Sequence, residues 1–344
     1  MYAGRVPKRI AVIGAGAWGT ALAAHAARLD HVVRLWAREP DVVSDVNERC
    51  ENRLFLEGVR LPSNLRASSS PSEVLEGAEI VILVPPSTFL RNVTGVIAEH
   101  VPKAARVVIA SKGIDERTLQ LMTDVAAEAL AGVIDPDELC ALSGPSFARE
   151  VASGLPTDVV VASKRAAAAA DVADALHTPM FRVYTSKDPI GVEVGGAMKN
   201  VLAIAAGACD GLGLGTNARA ALVTRGLSEM ARLGVALGGD PLTFMGLSGV
   251  GDLILTSTGA LSRNRALGMK VAEGIEPGKY LASQRTVAEG FSTARAAWKL
   301  AQKLGVDVPI TQQVYHVLHE GRPLLEAMKL LLTRAQKDER WGLP

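Results

Sequence analysis

The sequence predicts an α/β fold in which an N-terminal, doubly wound sheet is followed by an all-α domain. Three observations predict it: a glycine-rich turn after the first apolar run, further β-branched runs that alternate with helix-length segments, and a change to helical periodicity in the second half. Apolar runs separated in this way are typical of a largely parallel sheet covered on both faces. With 344 residues, the chain has room for about two domains.

The composition excludes several classes of protein. Lys and Arg number 37 against 36 Asp and Glu, a net charge of +1, and no long run of either sign occurs, so we expect no nucleic-acid partner and no anionic membrane surface. Cys50, Cys140 and Cys209 are odd in number and far apart, which fits a reducing compartment rather than a disulfide framework. Because no run of about 18 apolar residues occurs, we expect no stable membrane insertion and a cytoplasmic location.

Two periodicities divide the chain. Strands are predicted at residues 9–13, 32–36, 79–84, 106–110, 139–142, 157–162 and 181–184. From residue 188 onward, apolar residues recur at helical spacing, as in residues 216–237, where Thr216 or Asn217 is a candidate N-cap. A charged pair followed by a proline at residues 187–189 marks the change. We therefore expect one domain over residues 1–187 and an all-helical domain over residues 188–344.

A glycine pattern follows the first predicted strand. Residues 14–19 read Gly-Ala-Gly-Ala-Trp-Gly, and a predicted helix and a second strand come after them. In the Rossmann dinucleotide fold, the three glycines allow a tight turn, close approach of the backbone to the pyrophosphate, and close packing of the helix on the strand. The helix N-terminus then faces the phosphates. Gly14, Gly16 and Gly19 therefore predict a dinucleotide site rather than a simple glycine turn.

The end of the second predicted strand bears on the choice of cofactor. NAD-specific sites usually carry an acidic residue there, which accepts hydrogen bonds from the ribose hydroxyls. Here residues 35–38 read Leu-Trp-Ala-Arg, and Glu39 lies one position beyond. The guanidinium of Arg38 can pair with a 2′-phosphate. This favours NADP(H) and leaves two alternatives open, namely NAD(H) as the cofactor and Arg38 as an ordinary surface residue.

Further polar residues of the first half follow predicted strands. Lys112 comes after one strand, and the segment 143–148, with Gly144 and Ser146, comes after another. Ligands of open α/β sheets bind at the carboxyl ends of the strands. In the second half, Lys199 lies in an otherwise apolar helical segment, where a lysine is costly to bury without a purpose.

Two more segments of the second half have polar residues in unusual settings. Asp252 is flanked by apolar residues, and Thr256 lies one helical turn later. Residues 262–265, Ser-Arg-Asn-Arg, are typical of the start of a helix, where backbone N–H groups, a hydroxyl, a guanidinium and an amide together can bind phosphate. Each residue also has an ordinary explanation, since a lysine on a helix is usually exposed and an aspartate often caps a helix.

Taken together, the motifs resemble those of the bacterial NAD(P)-dependent glycerol-3-phosphate dehydrogenases. The resemblance rests on eight segments in order: residues 14–19, Trp-Ala-Arg at 36–38, Ser-Lys-Gly at 111–113, Ser-Gly-Pro-Ser-Phe-Ala at 143–148, Met-Lys-Asn at 198–200, Gly-Asp-Leu at 251–253, Ser-Arg-Asn at 262–264 and Val-Ala-Glu-Gly at 287–290. It implies an NAD(P)-binding Rossmann domain, a helical substrate-binding and catalytic domain, and a homodimer. It also implies reversible reduction of dihydroxyacetone phosphate, a small phosphorylated triose, to sn-glycerol 3-phosphate for phospholipid synthesis.

The same resemblance implies roles for individual residues. Lys199 is the expected proton donor and acceptor, in a catalytic group with Lys112, Asp252 and Thr256. The expected substrate contacts are Lys112, Gly144, Ser146, Lys199, Asp252, Ser262, Arg263 and Asn264. The expected cofactor contacts are Gly14, Gly16, Ala17, Trp18, Gly19, Arg38, Lys112, Ala148, Arg263, Val287 and Glu289.

The predicted chemistry places a demand on the pKa of Lys199. The side chain must be cationic when the substrate oxygen becomes alkoxide-like during reduction, and neutral to accept a proton during oxidation. Its pKa must therefore fall toward the working pH. Desolvation and repulsion from Lys112 both lower it, whereas a carboxylate too close would oppose the change, so we expect a positioning role for Asp252.

Other interpretations stay open at this point. A related dehydrogenase acting on a hydroxy acid would also use the cation at Arg263, and a catalytically silent NADPH sensor would need the glycine pattern without the lysines. His316 and His319 lie three positions apart on a predicted helix. Because no third ligand is close in sequence, we expect no metal site there.

Overall fold

The computed structural model describes residues 6–284, 288–336 and 338–339, and it divides into two compact units. Unit 1 comprises Met1–Ser111 and Met122–Pro189, and unit 2 comprises Lys112–Leu121 and Ile190–Pro344. The division by chain order at residue 187 puts residues 112–121 in the first domain. By their contacts, however, these residues pack with unit 2, so Lys112 belongs to the helical unit.

Unit 1 contains an eight-stranded sheet in its described part. The strands are β1 (Arg9–Ile13), β2 (Val32–Trp36), β3 (Arg66–Ser68), β4 (Ile80–Leu83), β5 (Arg106–Ile109), β6 (Cys140–Ser143), β7 (Thr157–Ala162) and β8 (Phe181–Ser186). Their order is β3-β2-β1-β4-β5-β6-β7-β8, and all neighbours are parallel except β6 and β7. The predicted, largely parallel sheet is confirmed. Strand β3 was missed because three residues are too few to reveal a period of two.

Helices accompany the sheet of unit 1. They are α1 (Ala17–Ala27), α2 (Pro40–Ser44), α3 (Pro71–Leu75), α4 (Ser87–Ile97), α5 (Met122–Ala129), α6 (Ala148–Ala152) and α7 (Ala166–Leu176). Side chains of β1 alternate between two apolar cores, since Ile10 and Val12 pack in one and Ala11 and Ile13 in the other. Because successive side chains of a strand point to opposite faces, both faces of the sheet are covered, as the apolar strands predict.

The described part of unit 2 after residue 189 is helical. Its helices are α8 (Pro189–Gly211), α9 (Gly215–Ala236), α10 (Asp252–Thr258), α11 (Arg263–Ala272), α12 (Pro277–Ala282), α13 (Glu289–Leu304), α14 (Pro309–His319) and α15 (Leu324–Leu332). Helix α9 begins one residue before the predicted start and has Leu214 at the N-cap, not Thr216 or Asn217. Gly213, just before this helix, and Gly215, its first residue, have φ of +67° and +86°, a backbone conformation that favours glycine.

Helix α8 is the central apolar helix of unit 2. By length and composition it could span a membrane, but 94% of its most apolar window is buried inside the protein. Its residues Val194, Ala197 and Val201 belong to the apolar core of unit 2 together with residues of α9, α13 and α14. Such burial is typical of a core helix. Lys199 therefore lies on a helix whose other side chains are largely apolar and buried.

Candidate active site

The glycine turn between β1 and α1 is sterically constrained. Gly14 has φ +118°, and an added Cβ would lie 2.9 Å from the backbone carbonyl carbon of Val84. An added Cβ at Gly19 would lie 1.9 Å from the carbonyl oxygen of Gly14. Only glycine therefore fits these two positions, the first for conformation and the second for packing of the helix on the turn.

The same turn has a geometry that fits a dinucleotide. Among the described residues, an added Cβ at Gly16 would meet no atom within 4 Å beyond its chain neighbours, so the backbone there is open to approach. Gly16 is the N-cap of α1, and no side chain caps this helix. The indole Nε1 of Trp18 is buried without a hydrogen-bond partner among the described residues. Uncapped N–H groups at a helix start bind phosphates well, and the open glycine allows the pyrophosphate to come close.

Arg38 lies just beyond the end of β2. Its side chain is 75% exposed, and its Nε and Nη2 donate to Oε1 of Glu39 at 3.1 Å and 2.8 Å. The guanidinium is therefore accessible, but a carboxylate already lies beside it. A phosphate that binds Arg38 must compete with Glu39.

Three other residues singled out from the sequence lie near the end of β6. Gly144 has φ +137°, and an added Cβ would lie 2.9 Å from Cα of Val159 on the neighbouring strand. The hydroxyl of Ser146 donates to the carbonyl oxygen of Gly144 at 2.9 Å, and Ala148 begins α6. The turn is thus a tight structural feature whose shape requires glycine.

In unit 2, two lysines share one buried carboxylate. Nζ of Lys199, on α8, lies 2.6 Å from Oδ1 of Asp252, and Nζ of Lys112 lies 2.7 Å from Oδ2. Lys199 also donates to Oγ1 of Thr256 at 2.9 Å, and the Thr256 hydroxyl donates to Asp252 Oδ1 at 3.2 Å. The carboxylate of Asp252 is fully buried. The four residues expected to form the catalytic group therefore converge within unit 2.

Burial and charge act in opposite directions on this cluster. The net pKa of Lys199 is lowered to about 8, because desolvation and the charge of Lys112 lower it by more than the charge of Asp252 raises it. For Asp252, burial raises the pKa, but the two ammonium groups more than offset this, so its pKa lies below the ordinary value. The expected decrease in the pKa of Lys199 is therefore present, with desolvation as its largest cause.

At the start of α11, the two arginines Arg263 and Arg265 have different partners. The hydroxyl of Ser262 caps the helix by accepting from the N–H of Arg265 at 3.2 Å. Arg265 donates twice to Oδ2 of Asp210, at 2.9 Å and 2.6 Å, whereas Arg263 is exposed and is attracted by the charge of Glu289. The guanidinium of Arg265 is thus held by Asp210, which also pairs with Arg219, and Arg263 is the accessible guanidinium at this helix start.

Asn264 connects three segments of unit 2. Its side-chain nitrogen donates to Oδ1 of Asn200 at 2.8 Å, and its side-chain oxygen accepts from the N–H of Gly290 at 2.9 Å. Asn200 follows Lys199 directly on α8, so the start of α11 is tied to the helix that carries the lysine. Val287, expected as a cofactor contact, lies outside the described residues.

Several polar residues with structural partners were not predicted from the sequence. They are Asp210 on α8, Thr20 on α1 and Asn52 after α2, of which Thr20 and Asn52 are buried next to the glycine turn; the neighbouring sequence gives no signal that these side chains are buried or paired. His319 accepts from Arg295 and bonds the oxygen of Phe291. Within the described ranges, no three His, Cys, Asp or Glu residues gather as metal ligands.

A dinucleotide-type turn in a parallel sheet, and a lysine whose pKa lies near the working pH, are features of nicotinamide-dependent oxidoreductases. Two family models narrow this class. The model for the N-terminus of NAD-dependent glycerol-3-phosphate dehydrogenase matches residues 9–169, and the model for its C-terminus matches residues 188–329. The chain belongs to the NAD-dependent glycerol-3-phosphate dehydrogenase family, which confirms the resemblance stated from the motifs.

Individual relatives agree with the family. Over 333 residues, the chain is 50% identical to the NAD(P)+ glycerol-3-phosphate dehydrogenase of Geobacter metallireducens, covering 97% of this chain and 99% of the relative. It is 49% identical to that of Solidesulfovibrio magneticus, covering 96% and 100%. The structure of glycerol-3-phosphate dehydrogenase from Coxiella burnetii matches with a TM-score of 0.90 at 39% identity, covering 95% of this chain and 99% of that one.

Proposed function

We propose that Lys199 donates and accepts the proton in the reaction of this family, with Asp252, Lys112 and Thr256 holding it in place. The reaction is the reversible reduction of dihydroxyacetone phosphate to sn-glycerol 3-phosphate with a nicotinamide dinucleotide, and its product is the backbone of glycerophospholipids. The proposal rests on the position of Lys199, whose Nζ lies 2.6 Å from the fully buried carboxylate of Asp252. The pKa of this lysine is lowered to about 8.

The protein's own contribution to the reaction is the control of charge and of one proton. When bound, the nicotinamide supplies or takes up the hydride. During reduction, the C2 oxygen of the substrate gains negative charge, which the Lys199 ammonium stabilises before it gives up its proton. During oxidation, the neutral amine takes the proton of the C2 hydroxyl. A pKa of about 8 keeps both forms accessible near neutral pH.

Asp252 acts by positioning. Its two carboxylate oxygens each hold one lysine, and Thr256 accepts a second hydrogen bond from Lys199. Such a network fixes the direction of the Lys199 ammonium, which is otherwise the end of a flexible side chain. The attraction raises the pKa of Lys199, but desolvation is the larger effect. The lysine is thus held without being locked in its charged form.

The substrate phosphate is proposed to bind at the start of α11. Arg263 supplies the accessible charge there, because Arg265 is occupied by Asp210. The uncommitted N–H groups of the first helical turn add donors, and the Ser262 hydroxyl can still donate one bond. The bonds of Asn264 to Asn200 and Gly290 support the shape of this segment. Binding the phosphate away from the reacting carbon orients a small substrate.

The remaining expected contacts are carried by the resemblance. They comprise Gly144, Ser146, Ala148, Val287 and Glu289, and the nucleotide contacts of Lys112 and Arg263. The glycine turn and the start of α1 with Ala17 and Trp18 are proposed to bind the pyrophosphate, for which the open Cβ position at Gly16 is the supporting observation.

NADP(H) is proposed as the preferred cofactor over NAD(H). The support is Arg38, whose exposed guanidinium follows β2 where an acidic residue would favour NAD(H). Glu39 weakens the preference because it shares the guanidinium. A cytoplasmic location is proposed from the three free thiols, and a homodimer from the resemblance to the family.

One assay tests the proposed function. NADPH oxidation is followed with dihydroxyacetone phosphate and, in parallel, with unphosphorylated dihydroxyacetone. We expect efficient turnover of the phosphorylated substrate and a large loss of kcat/KM without the phosphate, since Arg263 then has no substrate anion to bind. Comparable rates on both substrates would contradict the proposed phosphate site.

A matched variant separates the phosphate site from general damage. At saturating NADPH, which offsets any loss of a nucleotide contact, Arg263→Met should lose kcat/KM for dihydroxyacetone phosphate and leave the slow rate on dihydroxyacetone unchanged. Arg219→Met is the control, because this guanidinium also lies in unit 2 and pairs with Asp210 instead of facing a substrate. An equal loss in both variants would contradict the assignment of Arg263.

A further inference from the structure

Two buried polar side chains lie beside the glycine turn of unit 1. Thr20 and Asn52 are each 0% exposed. The side-chain nitrogen of Asn52 donates to the carbonyl oxygen of Ala15 at 2.8 Å and to Oγ1 of Thr20 at 2.8 Å. The hydroxyl of Thr20 donates to the same Ala15 oxygen at 3.1 Å. These three residues form a closed set of hydrogen bonds, here called the Ala15 triangle.

Asn52 is itself fixed by its own segment. Its side-chain oxygen accepts from the N–H of Phe55 at 3.1 Å, so its amide group is oriented by a bond that does not involve the turn. The adjacent Arg53 pairs with Asp45 through two hydrogen bonds of 2.9 Å and 2.7 Å. The segment after α2 therefore holds Asn52 rigidly enough to position the turn from outside it.

The direction of the Ala15 carbonyl determines the direction of the next amide. In a trans peptide, the C=O and the following N–H point in opposite directions. With its carbonyl turned into the triangle, the peptide from Ala15 to Gly16 directs the N–H of Gly16 away from the buried side chains. Gly16 is also the position where an added Cβ would meet no atom within 4 Å. An outward N–H beside an open backbone is suited to a phosphate oxygen.

We infer that Asn52 and Thr20 are positioning residues for the pyrophosphate of the dinucleotide. They hold the Ala15 carbonyl inward and so keep the Gly16 amide directed at the phosphates. A buried carbonyl that loses its donors is unfavourable, and an apolar residue at position 52 would let this peptide rotate. The inference depends on the proposed function only in taking a nicotinamide dinucleotide as the ligand of the turn.

Direct binding to Asn52→Ala tests the inference without turnover. NADPH is titrated by fluorescence, and ADP-ribose and adenosine 2′-monophosphate are titrated by calorimetry. We expect the Kd of NADPH and of ADP-ribose to rise about tenfold, because both contain the pyrophosphate. The affinity for adenosine 2′-monophosphate should not change, because this probe lacks a pyrophosphate.

Two further variants and a control complete the test. Thr20→Val keeps the side-chain volume and removes the hydroxyl, so it should also weaken ADP-ribose binding, whereas Thr20→Ser should restore it. Asn47→Ala is the control. This side chain belongs to the same segment and bonds the N–H and the carbonyl oxygen of Ala67, both at 2.9 Å, so its loss should leave nucleotide affinity unchanged.

Several outcomes would overturn the inference. The first is an Asn52→Ala variant that is folded and binds ADP-ribose as the wild type does. The second is an equal loss for adenosine 2′-monophosphate, which would mean general damage. If Asn52→Ala does not fold, equal affinities of Thr20→Val and Thr20→Ser for ADP-ribose would overturn it. Because these titrations use no triose, failure to reduce dihydroxyacetone phosphate would not alter them.

Discussion

Nζ of Lys199 and Oδ1 of Asp252 lie 2.6 Å apart, although 53 residues separate them in the chain. A carboxylate at this distance favours the charged form of the lysine, yet the pKa of Lys199 is lowered to about 8 by desolvation, with Lys112 acting in the same direction. The carboxylate therefore fixes the position of the lysine, and burial decides how readily it releases its proton.

Replacement of Lys199 should remove most of the chemistry. Lys199→Met keeps an apolar stem of similar length but has no proton to give, so we expect kcat for dihydroxyacetone phosphate to fall about a thousandfold. NADPH affinity, measured by fluorescence, should stay within about twofold of the wild type. Lys270→Met is the control, since Lys270 pairs with Glu273 at the surface. Near-normal turnover by a folded Lys199→Met would refute the assignment.

The pH dependence should report the pKa of Lys199. The rate of glycerol 3-phosphate oxidation should rise through about pH 8, and kcat for the reverse reduction should fall over the same range. Asp252→Asn removes a charge that raises this pKa and should shift the profile to lower pH. Lys112→Met removes a charge that lowers it and should shift the profile to higher pH. Shifts in the same direction would show that another group controls the profile.

Two glycines of the turn should respond differently to alanine. At Gly19 the new Cβ would lie 1.9 Å from the Gly14 oxygen, so Gly19→Ala should lower the free energy of unfolding by about 3 kcal/mol. At Gly16 the new Cβ would meet no other described residue within 4 Å, so Gly16→Ala should retain its stability and instead raise the Kd for NADPH about tenfold, because the methyl group obstructs the pyrophosphate. Urea unfolding and fluorescence titration measure the two effects. Equal behaviour of the two variants would be inconsistent with this division of roles.

Arg38 should distinguish the two cofactors. Arg38→Ala should raise KM for NADPH about tenfold and leave KM for NADH nearly unchanged, since only NADPH has the 2′-phosphate. Glu39→Gln should lower KM for NADPH, because it removes the carboxylate that now holds the Arg38 guanidinium at 2.8 Å. Steady-state kinetics with each cofactor at saturating dihydroxyacetone phosphate decide the matter. Equal changes for NADH and NADPH would end the 2′-phosphate interpretation.

A buried carboxylate of unit 2 should make stability depend on pH. Glu229, 1% exposed, accepts hydrogen bonds from Ile310 N, Thr311 N and Thr311 Oγ1 at 2.5, 3.0 and 3.0 Å. Burial raises its pKa from 4.5 to about 7, although these donors lower it. Between these two pH values the folded state retains a proton that the unfolded state has released. Rising pH should therefore reduce the free energy of unfolding by about 3 kcal/mol across this window.

Glu229→Gln tests this pH dependence because it cannot titrate. The free energy of unfolding of both proteins is measured with urea between pH 4.5 and 8. As the pH rises, the wild type should lose stability relative to Glu229→Gln. Glu326→Gln is the control, as this carboxylate lies at the surface, 3.8 Å from Arg322. Parallel curves for the wild type and Glu229→Gln would contradict the prediction.

Sequence reasoning worked best where the constraint is local. The apolar runs gave the sheet, with strands 9–13, 32–36 and 157–162 matching in full, because pleated and helical periods are properties of consecutive residues. It missed β3 and the N-cap of α9. The local pattern at residues 262–265 did not distinguish Arg263 from Arg265, and only the resemblance chose Arg263, since Asp210, which pairs with Arg265, lies 55 positions away.

The sequence by itself determined the fold class and the family, and it supplied the residue types proposed for the site. Residues 14 and 19 must be glycine because a side chain at either position would clash within the turn. A lysine in an apolar helix already predicts a lowered pKa. Only the tertiary structure decided which groups meet. Lys112 and Asp252 are 140 residues apart, and Asn52 lies 37 residues from the turn it supports. The distances within both pairs depend on how separate segments of the chain pack. Distance and burial in turn set the pKa of each charged residue, because they decide how strongly neighbouring charges and desolvation act on it.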